Sequence, residues 1–202
     1  MKSKFESVSV IPVLIFENAD HAASTAGALI DGGLDVLEVT LRTEASWDAF
    51  DQIMTQYPNA VTGVGTVLGR DQMKRAKDMG AVFAVSPGFD PGLVECAQEL
   101  DLFYMPGVAT PSEVMQARAL GLKTLKFFPA EAAGGTAMLK SFISPFGDVS
   151  FCPTGGISAE NVADYRALKN VFCVGGSWVA TNEDMMAGNW QFITDKAKQV
   201  NA

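Results

Sequence analysis

The 202-residue chain has few of the residue types that metal sites, disulfide scaffolds and membrane spans require. Its only histidine, His21, rules out a histidine-rich zinc site and is expected on the surface near the start of a helix. Cys96, Cys152 and Cys173 form no C-x-x-C pair and no disulfide framework, so we expect buried, reduced thiols. No apolar run approaches the length of a membrane span, and the N-terminus has no signal-peptide h-region. These absences predict a cytoplasmic protein with no bound metal.

Basic residues are also scarce, because 15 lysines and arginines stand against 23 aspartates and glutamates, for a net charge of −8. Without a basic patch, neither a nucleic acid nor an anionic membrane surface is an expected partner. A small anionic substrate remains possible, since it needs only a few local donors. Hydrophobic residues make up 48% of the chain and charged residues only 19%. This composition favours one well-cored α/β domain over a disordered or coiled-coil chain.

Apolar strand patterns alternate with helical patterns along the whole chain, with no linker or low-complexity segment between them. Predicted strands cover residues 8–16, 35–41, 60–67, 82–85, 102–105, a run ending at Pro129, 149–152 and 171–174. Predicted helices cover residues 19–29, 45–57, 71–79, 91–99, 111–120, 136–143, 158–168 and 183–200, the last interrupted around residues 188–189. Eight repeats at a spacing of roughly 20–26 residues predict a (β/α)8 barrel, the TIM-barrel fold, as one domain over residues 1–202. The alternative is a doubly wound open sheet, but no G-x-G-x-x-G turn follows the first strand.

Lys126 lies inside a short apolar strand, between Leu125 and Phe127. Side chains alternate between the two faces of a strand, so Lys126 and Phe128 share one face. If both faces are covered, the amine points into the protein, where an ammonium ion tends to lose its proton. Such an amine is a nucleophile that forms Schiff bases with ketones. The alternative is a lysine at a strand end whose amine reaches out to water.

The second strand reads L-E-V-T-L-R, so Glu38, Thr40 and Arg42 share a face that should look into the barrel. Glu38 could transfer protons, and Arg42 could bind a substrate carboxylate. The alternative is a buried ion pair between the two. The third strand ends with Gly63 and Gly65, which leave space, and with Thr66, which offers a hydroxyl.

Three further strand ends carry turn residues. Ser86-Pro87-Gly88 is a rigid turn that could form a pocket wall. Residues 154–158 and 175–177 are glycine-rich segments after the seventh and eighth strands, and they should open onto helices. Bare backbone N–H groups at these strand ends are a usual phosphate site of the barrel. An amine, an acid, a carboxylate clamp and a phosphate site together suit a phosphorylated 2-keto acid.

The chain resembles the class I aldolases that cleave 2-keto-3-deoxy-6-phosphogluconate (KDPG) and 4-hydroxy-2-oxoglutarate (KHG). The resemblance runs over nearly the whole chain and is carried, in order, by L-E-V-T-L-R-T (37–43), G-V-G-T-V-L (63–68), S-P-G (86–88), L-K-F-F-P-A-E (125–131), P-T-G-G-I (153–157) and G-G-S-W (175–178). It implies cleavage of KDPG to pyruvate and D-glyceraldehyde 3-phosphate in Entner–Doudoroff carbohydrate catabolism. It also implies a homotrimer that needs no metal or cofactor.

The resemblance implies a role for each matching position. Lys126 would form the Schiff base, and Glu38 would be its general acid and base. Arg42 and Thr66 would hold the keto-acid carboxylate, and Pro87 and Phe128 would line the pyruvate pocket. The phosphate would be bound by Thr154, Gly155, Gly156, Gly176 and Ser177.

The chain departs from the common family pattern at Val64, where alanine is frequent, and in a shortened N-terminal segment. The related phosphogalactonate aldolases share the lysine and the glutamate but lack the arginine and the S-P-G turn, so Arg42 and Ser86 favour a gluconate substrate. Two other hypotheses remain: a phosphate-binding barrel isomerase that uses Glu38 as its base, and a non-catalytic sensor of phosphorylated metabolites. Each leaves the buried lysine without a task.

Overall fold

The computed structural model describes residues 8–201, in which short strands and helices alternate. The strands are β1 (Val10–Leu14), β2 (Val36–Thr40), β3 (Val61–Gly65), β4 (Phe83–Val85), β5 (Phe103–Met105), β6 (Gly107–Val108), β7 (Thr124–Phe127), β8 (Ser150–Pro153) and β9 (Val174–Gly176). The α-helices are α1 (Ala22–Asp31), α2 (Ser46–Gln56), α3 (Arg70–Asp78), α4 (Pro91–Glu99), α5 (Pro111–Ala119), α6 (Gly135–Phe142), α7 (Val162–Arg166), α8 (Asn182–Met186) and α9 (Trp190–Asn201). The shortened N-terminal segment noted above falls before residue 8, outside the described residues.

Local capping explains where several helices begin. The Asp90 side chain accepts a hydrogen bond from Leu93 N at the start of α4, and Pro91 occupies the first turn. At α5, Thr110 and Glu113 form a reciprocal capping box. The predicted break in the last helical segment is confirmed, because α8 and α9 are separated at Gly188, whose φ is +67°.

The strands form two parallel sheets. Six strands pair in the order β5-β4-β3-β2-β1-β9, and three pair in the order β6-β7-β8. Residues 103–108 join the sheets on one side, because β5 pairs with β4 whereas β6 pairs with β7. On the other side, isolated parallel bridges join Phe151 to Val171 and Thr154 to Gly175. The α/β class with a parallel arrangement is therefore confirmed.

An uninterrupted eight-stranded ladder, as the sequence predicts, is not observed. Pro106 lies where the segment changes partner, and it has no N–H with which to continue the ladder. The last strand is also displaced, because β9 begins at Val174 and the predicted strand spans residues 171–174. Gly175 and Gly176 pair with Ile11 and Pro12, so glycines that looked like loop residues belong to the strand.

Two apolar layers hold the strands. The larger lies between strands and helices and includes Leu14, Leu37 and Leu125, all fully buried. The smaller fills the inner side of the sheets and includes Ile11, Val36, Val61, Phe83, Met105, Cys152 and Cys173. Val36 precedes Glu38 by two residues on the same face of β2, so the polar groups lie just beyond this inner layer.

Parallel pairing brings the carboxyl ends of all these strands to one end of the molecule, where the candidate residues gather. Within residues 8–201, no helix combines the length and apolarity needed to cross a bilayer.

Candidate active site

The centre of the site is a contact between β7 and β2. Lys126 Nζ lies 3.2 Å from Glu38 Oε1, and the two side chains are only 3% and 4% exposed. The prediction that the amine points into the protein is therefore confirmed, and the alternative of a solvent-exposed amine is wrong. The ring of Phe128 lies beside the pair, with its centroid 5.4 Å from Lys126 Nζ.

A buried ion pair of this kind does little for stability, because desolvation of the two charges offsets most of their attraction. It does place a nucleophile and a proton carrier within direct hydrogen-bonding distance. The register explains the arrangement: Glu38 lies between Val13 on β1 and Gly63 on β3, and Lys126 lies between Gly107 and Cys152. Three of these four neighbours are glycine or cysteine, so little side-chain bulk competes for the space.

Gly65 leaves the space that the Glu38 carboxylate occupies. A Cβ atom built on Gly65 would collide with Glu38 Oε1, and its nearest other contact would be Glu38 Cδ at 2.7 Å. Gly63 has a packing role, since a Cβ there would lie 2.5 Å from the Phe83 ring. The two glycines of G-V-G-T-V therefore have different tasks, which the sequence pattern does not separate.

Arg42 corrects one prediction. Strand β2 ends at Thr40, and Arg42 lies beyond it with an exposed side chain, so it does not face the interior and does not pair with Glu38. The long side chain leaves its guanidinium accessible to water. Arg42 Nε donates a hydrogen bond of 2.8 Å to Thr66 Oγ1, which brings together the two predicted carboxylate ligands.

Thr66 has a backbone conformation that is unusual for a β-branched residue, with φ at +60°. The flanking backbone holds it there, because Gly65 O accepts from Leu41 N at 2.8 Å and Val67 N donates to Val85 O at 3.0 Å. Strained residues of this kind cluster at functional sites. The sequence offers no signal for this conformation.

The S-P-G turn is held by a side chain that the sequence analysis missed. Tyr104 on β5 donates to Ser86 Oγ at 2.7 Å, and Ser86 Oγ donates to Val67 O at 2.7 Å. Burial raises the pKa of Tyr104 to about 12, although the Ser86 hydrogen bond acts in the opposite direction. Ser86 thus anchors the turn from within, and Pro87 stands half-buried above it.

The segment after β8, residues 154–156, is here called the strand-8 loop. Thr154 is buried, whereas Gly156 is exposed, and the φ values of Gly155 and Gly156 are +101° and +78°. Only glycine adopts such angles without strain, and they leave the loop free of side chains on its exposed side. Thr154 lies against Gly175 of β9, where a Cβ atom would collide with it.

Ser177 follows β9 directly and is exposed, and the Trp178 ring packs on Gly176 so closely that no side chain would fit there. Each glycine segment is followed by a helix, as predicted, but several residues separate the segment from the helix start. Helix α7 begins at Val162 and α8 at Asn182, and each has only five residues. Any anion bound here would therefore contact backbone N–H groups of the loops and the Ser177 hydroxyl.

The cysteines and the lone histidine stay outside the chemistry. All three cysteines are free and buried, as predicted. Burial raises the pKa of the Cys173 thiol well above its ordinary value, and the neighbouring Cys152 and Glu38 raise it further. His21 packs against Trp190, with ring centroids 6.0 Å apart. Among residues 8–201, no group of three or more His, Cys, Asp or Glu side chains is arranged to hold a metal ion.

Two surface cavities lie away from this site. A surface cavity of about 230 Å³ is lined by Val94, Leu102 and Lys123 among others, and one of about 310 Å³ by Ile30, Asp35 and Tyr57 among others. Neither is lined by Lys126 or Glu38.

Comparison with known proteins points to one family. The family model of the KDPG and KHG aldolases matches residues 1–196. The chain is 46% identical over 190 residues to the KHG/KDPG aldolase of Escherichia coli (strain K12), which covers 94% of this chain and 89% of that protein.

Solved structures agree in fold. The KDPG aldolase of Legionella pneumophila, with pyruvate captured at low pH as a covalent carbinolamine intermediate, has a TM-score of 0.96 and 41% identity over 98% of this chain and 96% of that one. The KDPG aldolase of Zymomonas mobilis ZM4 with 3-phosphoglycerate has a TM-score of 0.92 and 42% identity over 100% and 94%.

Proposed function

The chain belongs to the KDPG and KHG aldolase family, and on that basis we propose that it cleaves phosphorylated 2-keto-3-deoxy acids through a Schiff base on Lys126. The observation that carries the residue assignment is the buried contact between Lys126 Nζ and Glu38 Oε1. The Entner–Doudoroff substrate KDPG, cleaved reversibly to pyruvate and D-glyceraldehyde 3-phosphate, is the expected main substrate.

The first half of the reaction forms the imine. Lys126 Nζ attacks the C2 carbonyl carbon, and Glu38 takes the surplus amine proton and passes it, directly or through a water, to the carbonyl oxygen to give a carbinolamine. Loss of water needs one more proton on the departing hydroxyl, which Glu38 relays from solvent, and this leaves the protonated imine on Lys126. A single carboxylate at 3.2 Å can serve both steps because it is regenerated between them.

The second half breaks the carbon–carbon bond. Glu38 accepts the C4 hydroxyl proton, directly or through a water, the C3–C4 bonding electrons move toward the imine nitrogen, and D-glyceraldehyde 3-phosphate leaves. Protonation of the resulting enamine at C3 and hydrolysis of the imine release pyruvate and restore the Lys126 amine. We assign the C3 proton transfer to Glu38, since it is the carboxylate that contacts the lysine.

The two charged ends of the substrate have separate partners. In this proposal Arg42 and Thr66 bind the carboxylate, and Pro87 and Phe128 enclose the pyruvate portion. The phosphate is bound through backbone N–H groups and hydroxyls of Thr154, Gly155, Gly156, Gly176 and Ser177. The last group lies at the ends of β8 and β9, which are joined by the Thr154–Gly175 bridge.

The test of this function is a coupled pyruvate-release assay on three substrates: KDPG, its galactonate epimer and KHG. We expect the highest kcat/KM for KDPG, measurable cleavage of KHG, and the lowest value for the galactonate form. Highest activity on the galactonate epimer would shift the assignment to phosphogalactonate aldolase. Absence of pyruvate from all three, with tight ligand binding, would favour a sensor.

Substitution of Gly65 by alanine should lower kcat for KDPG cleavage by about 10²-fold, a loss typical when a catalytic group is slightly displaced. The added methyl group takes the place of the Glu38 carboxylate. Gly147→Ala is the matched control, because its Cβ would meet only Ile143 O at 3.5 Å. Wild-type kcat in Gly65→Ala would show that the carboxylate position is not critical.

Substitution of Arg42 by lysine should raise KM for KDPG and the Kd for pyruvate by about 10-fold, because lysine cannot reproduce a planar guanidinium clamp. The kcat should change far less. Arg118→Lys serves as a control, since Arg118 pairs with Asp148 on the surface. Equal affinity for pyruvate in Arg42→Lys and wild type would remove Arg42 from the carboxylate site.

The proposal also covers the barrel, the metal requirement, the location and the oligomeric state of the enzyme. The two sheets together would form the wall of one (β/α)8-type barrel, in a single domain. Imine chemistry on Lys126 needs no metal, so activity should survive a strong chelator. We place the enzyme in the cytoplasm. A homotrimer would cover some of the exposed apolar side chains, such as Leu68 and Phe192, which are 67% and 53% exposed, and native mass measurement tests it.

A further inference from the structure

Glu131 is the last residue of the L-K-F-F-P-A-E motif, and the proposed chemistry gives it no task. Its carboxylate Oε1 accepts a hydrogen bond from the hydroxyl of Tyr165 on α7. The Tyr165 side chain is only 1% exposed, so its ring is fixed by the core while its hydroxyl reaches the carboxylate. Burial raises the pKa of Tyr165, and the hydrogen bond to Glu131 raises it further, so the hydroxyl stays a donor.

Glu131 also contacts the strand-8 loop directly. A Cβ atom built on Gly156 would lie 2.6 Å from Glu131 Cγ, so the glutamate stem packs on the bare backbone of Gly156. The backbones are joined as well, because Ala130 N donates to Thr154 O at 2.8 Å and Glu131 N donates to Gly155 O at 3.1 Å. Residues 130–131 therefore run beside the loop and support one side of it.

Asn161 also holds the loop through its side chain. Its Nδ2 donates to Gly156 O at 3.1 Å, and its Oδ1 accepts from Ser158 N at 2.9 Å. Gly135 makes room for the pair, since a Cβ there would lie 3.2 Å from the Tyr165 hydroxyl oxygen and 3.4 Å from Glu131 Oε1. The glutamate is thus contacted by three segments of the chain: the loop at Gly156, helix α6 at Gly135 and helix α7 at Tyr165.

From this convergence we infer that Glu131 and Tyr165 are positioning residues that fix the strand-8 loop in the conformation that binds phosphate. The inference rests on the proposed phosphate site. Loss of the Tyr165 hydroxyl would release the glutamate stem from Gly156 and leave a mobile negative charge beside the loop. Both effects weaken phosphate binding and leave the Lys126–Glu38 pair untouched. Glu131 and Tyr165 therefore contribute to the preference for phosphorylated substrates.

The test compares kcat and KM for KDPG with those for unphosphorylated KHG, together with the rate at which borohydride traps pyruvate on the enzyme. For Tyr165→Phe we expect KM for KDPG to rise about 10-fold, as for loss of a hydrogen bond to a charged group. KM for KHG and the trapping rate should stay within about 2-fold of wild type. Glu131→Gln should keep KM for KDPG near the wild-type value, because its amide oxygen still accepts from Tyr165. Glu131→Ala should raise KM for KDPG, but by less than Tyr165→Phe, because it removes the support of Gly156 and leaves no charge beside the loop.

Tyr57→Phe is the matched control, because the Tyr57 hydroxyl lies near Gly27, away from the strand-8 loop. The inference would be overturned if KM rose equally for KDPG and KHG. It would also be overturned if KM for KDPG stayed at the wild-type value in Tyr165→Phe or in Glu131→Ala. If Tyr165→Phe does not fold, Glu131→Ala decides, since Glu131 is an exposed residue. The wild-type enzyme is measured first. If it forms the pyruvate adduct and prefers KDPG, the proposed function holds and the variants test the inference alone. If it forms no adduct, the proposed function itself fails.

Discussion

Replacement of Lys126 by methionine should lower kcat for KDPG cleavage by about 10⁴-fold or more, because the covalent route is lost while substrate binding remains. Methionine has a similar unbranched length and fits an apolar site, but it has no nucleophile. Arg42 and the strand-8 loop are untouched, so the Kd for KDPG should change little. The measurement is single-turnover pyruvate release, with ligand binding followed separately.

The same substitution leaves the Glu38 carboxylate buried without a partner, which costs about 3–5 kcal/mol of folding free energy. The double variant Lys126→Met/Glu38→Gln removes that charge and should recover most of the lost stability in denaturant unfolding. It therefore distinguishes loss of the nucleophile from loss of the fold. A folded Lys126→Met enzyme that still cleaves KDPG within 10-fold of wild type would contradict the mechanism.

Replacement of Glu38 by glutamine should reduce kcat by about 10²–10⁴-fold, the usual contribution of a positioned acid–base group. Glutamine keeps the size of the side chain and can still accept a hydrogen bond from Lys126 through its amide oxygen, but it cannot shuttle protons. Both halves of the reaction should slow, so borohydride trapping of pyruvate and exchange of the pyruvate methyl protons with solvent should fall together.

Glu44→Gln is a suitable control for Glu38→Gln, because Glu44 is exposed and follows the same strand. It should leave kcat unchanged. If Glu38→Gln traps pyruvate at the wild-type rate and only cleavage is slow, Glu38 acts in carbon–carbon cleavage alone. If neither rate falls, the carboxylate has no role in proton transfer.

The sequence predicted the elements around Lys126 and Glu38 well because the segments L-E-V-T and T-L-K-F alternate between apolar and polar residues. Period-2 alternation places Glu38 and Lys126 inside, and the structure has them 3.2 Å apart. The same rule failed for Arg42, since alternation holds only while the strand continues, and β2 ends at Thr40. A different rule, that paired glycines indicate a turn, failed at Gly175 and Gly176. These two residues pair with β1 and therefore belong to strand β9.

The remaining parts of the site depend on contacts between residues far apart in the chain. The Tyr104–Ser86 hydrogen bond spans 18 residues and the Tyr165–Glu131 bond spans 34. Neither has a local sequence signal. The division of the strands into two sheets occurs at Pro106, where the chain passes from β5, which pairs with β4, to β6, which pairs with β7. The periodicity of the sequence does not predict this change of partner.

The most direct test is peptide mapping of the wild-type enzyme after borohydride reduction in the presence of pyruvate. The account predicts one reduced pyruvate per chain, located on Lys126, with matching loss of KDPG cleavage. Exposed lysines such as Lys123, which is 64% exposed, should carry none. An active enzyme that carries no adduct on Lys126, or carries it on another lysine, would contradict the account.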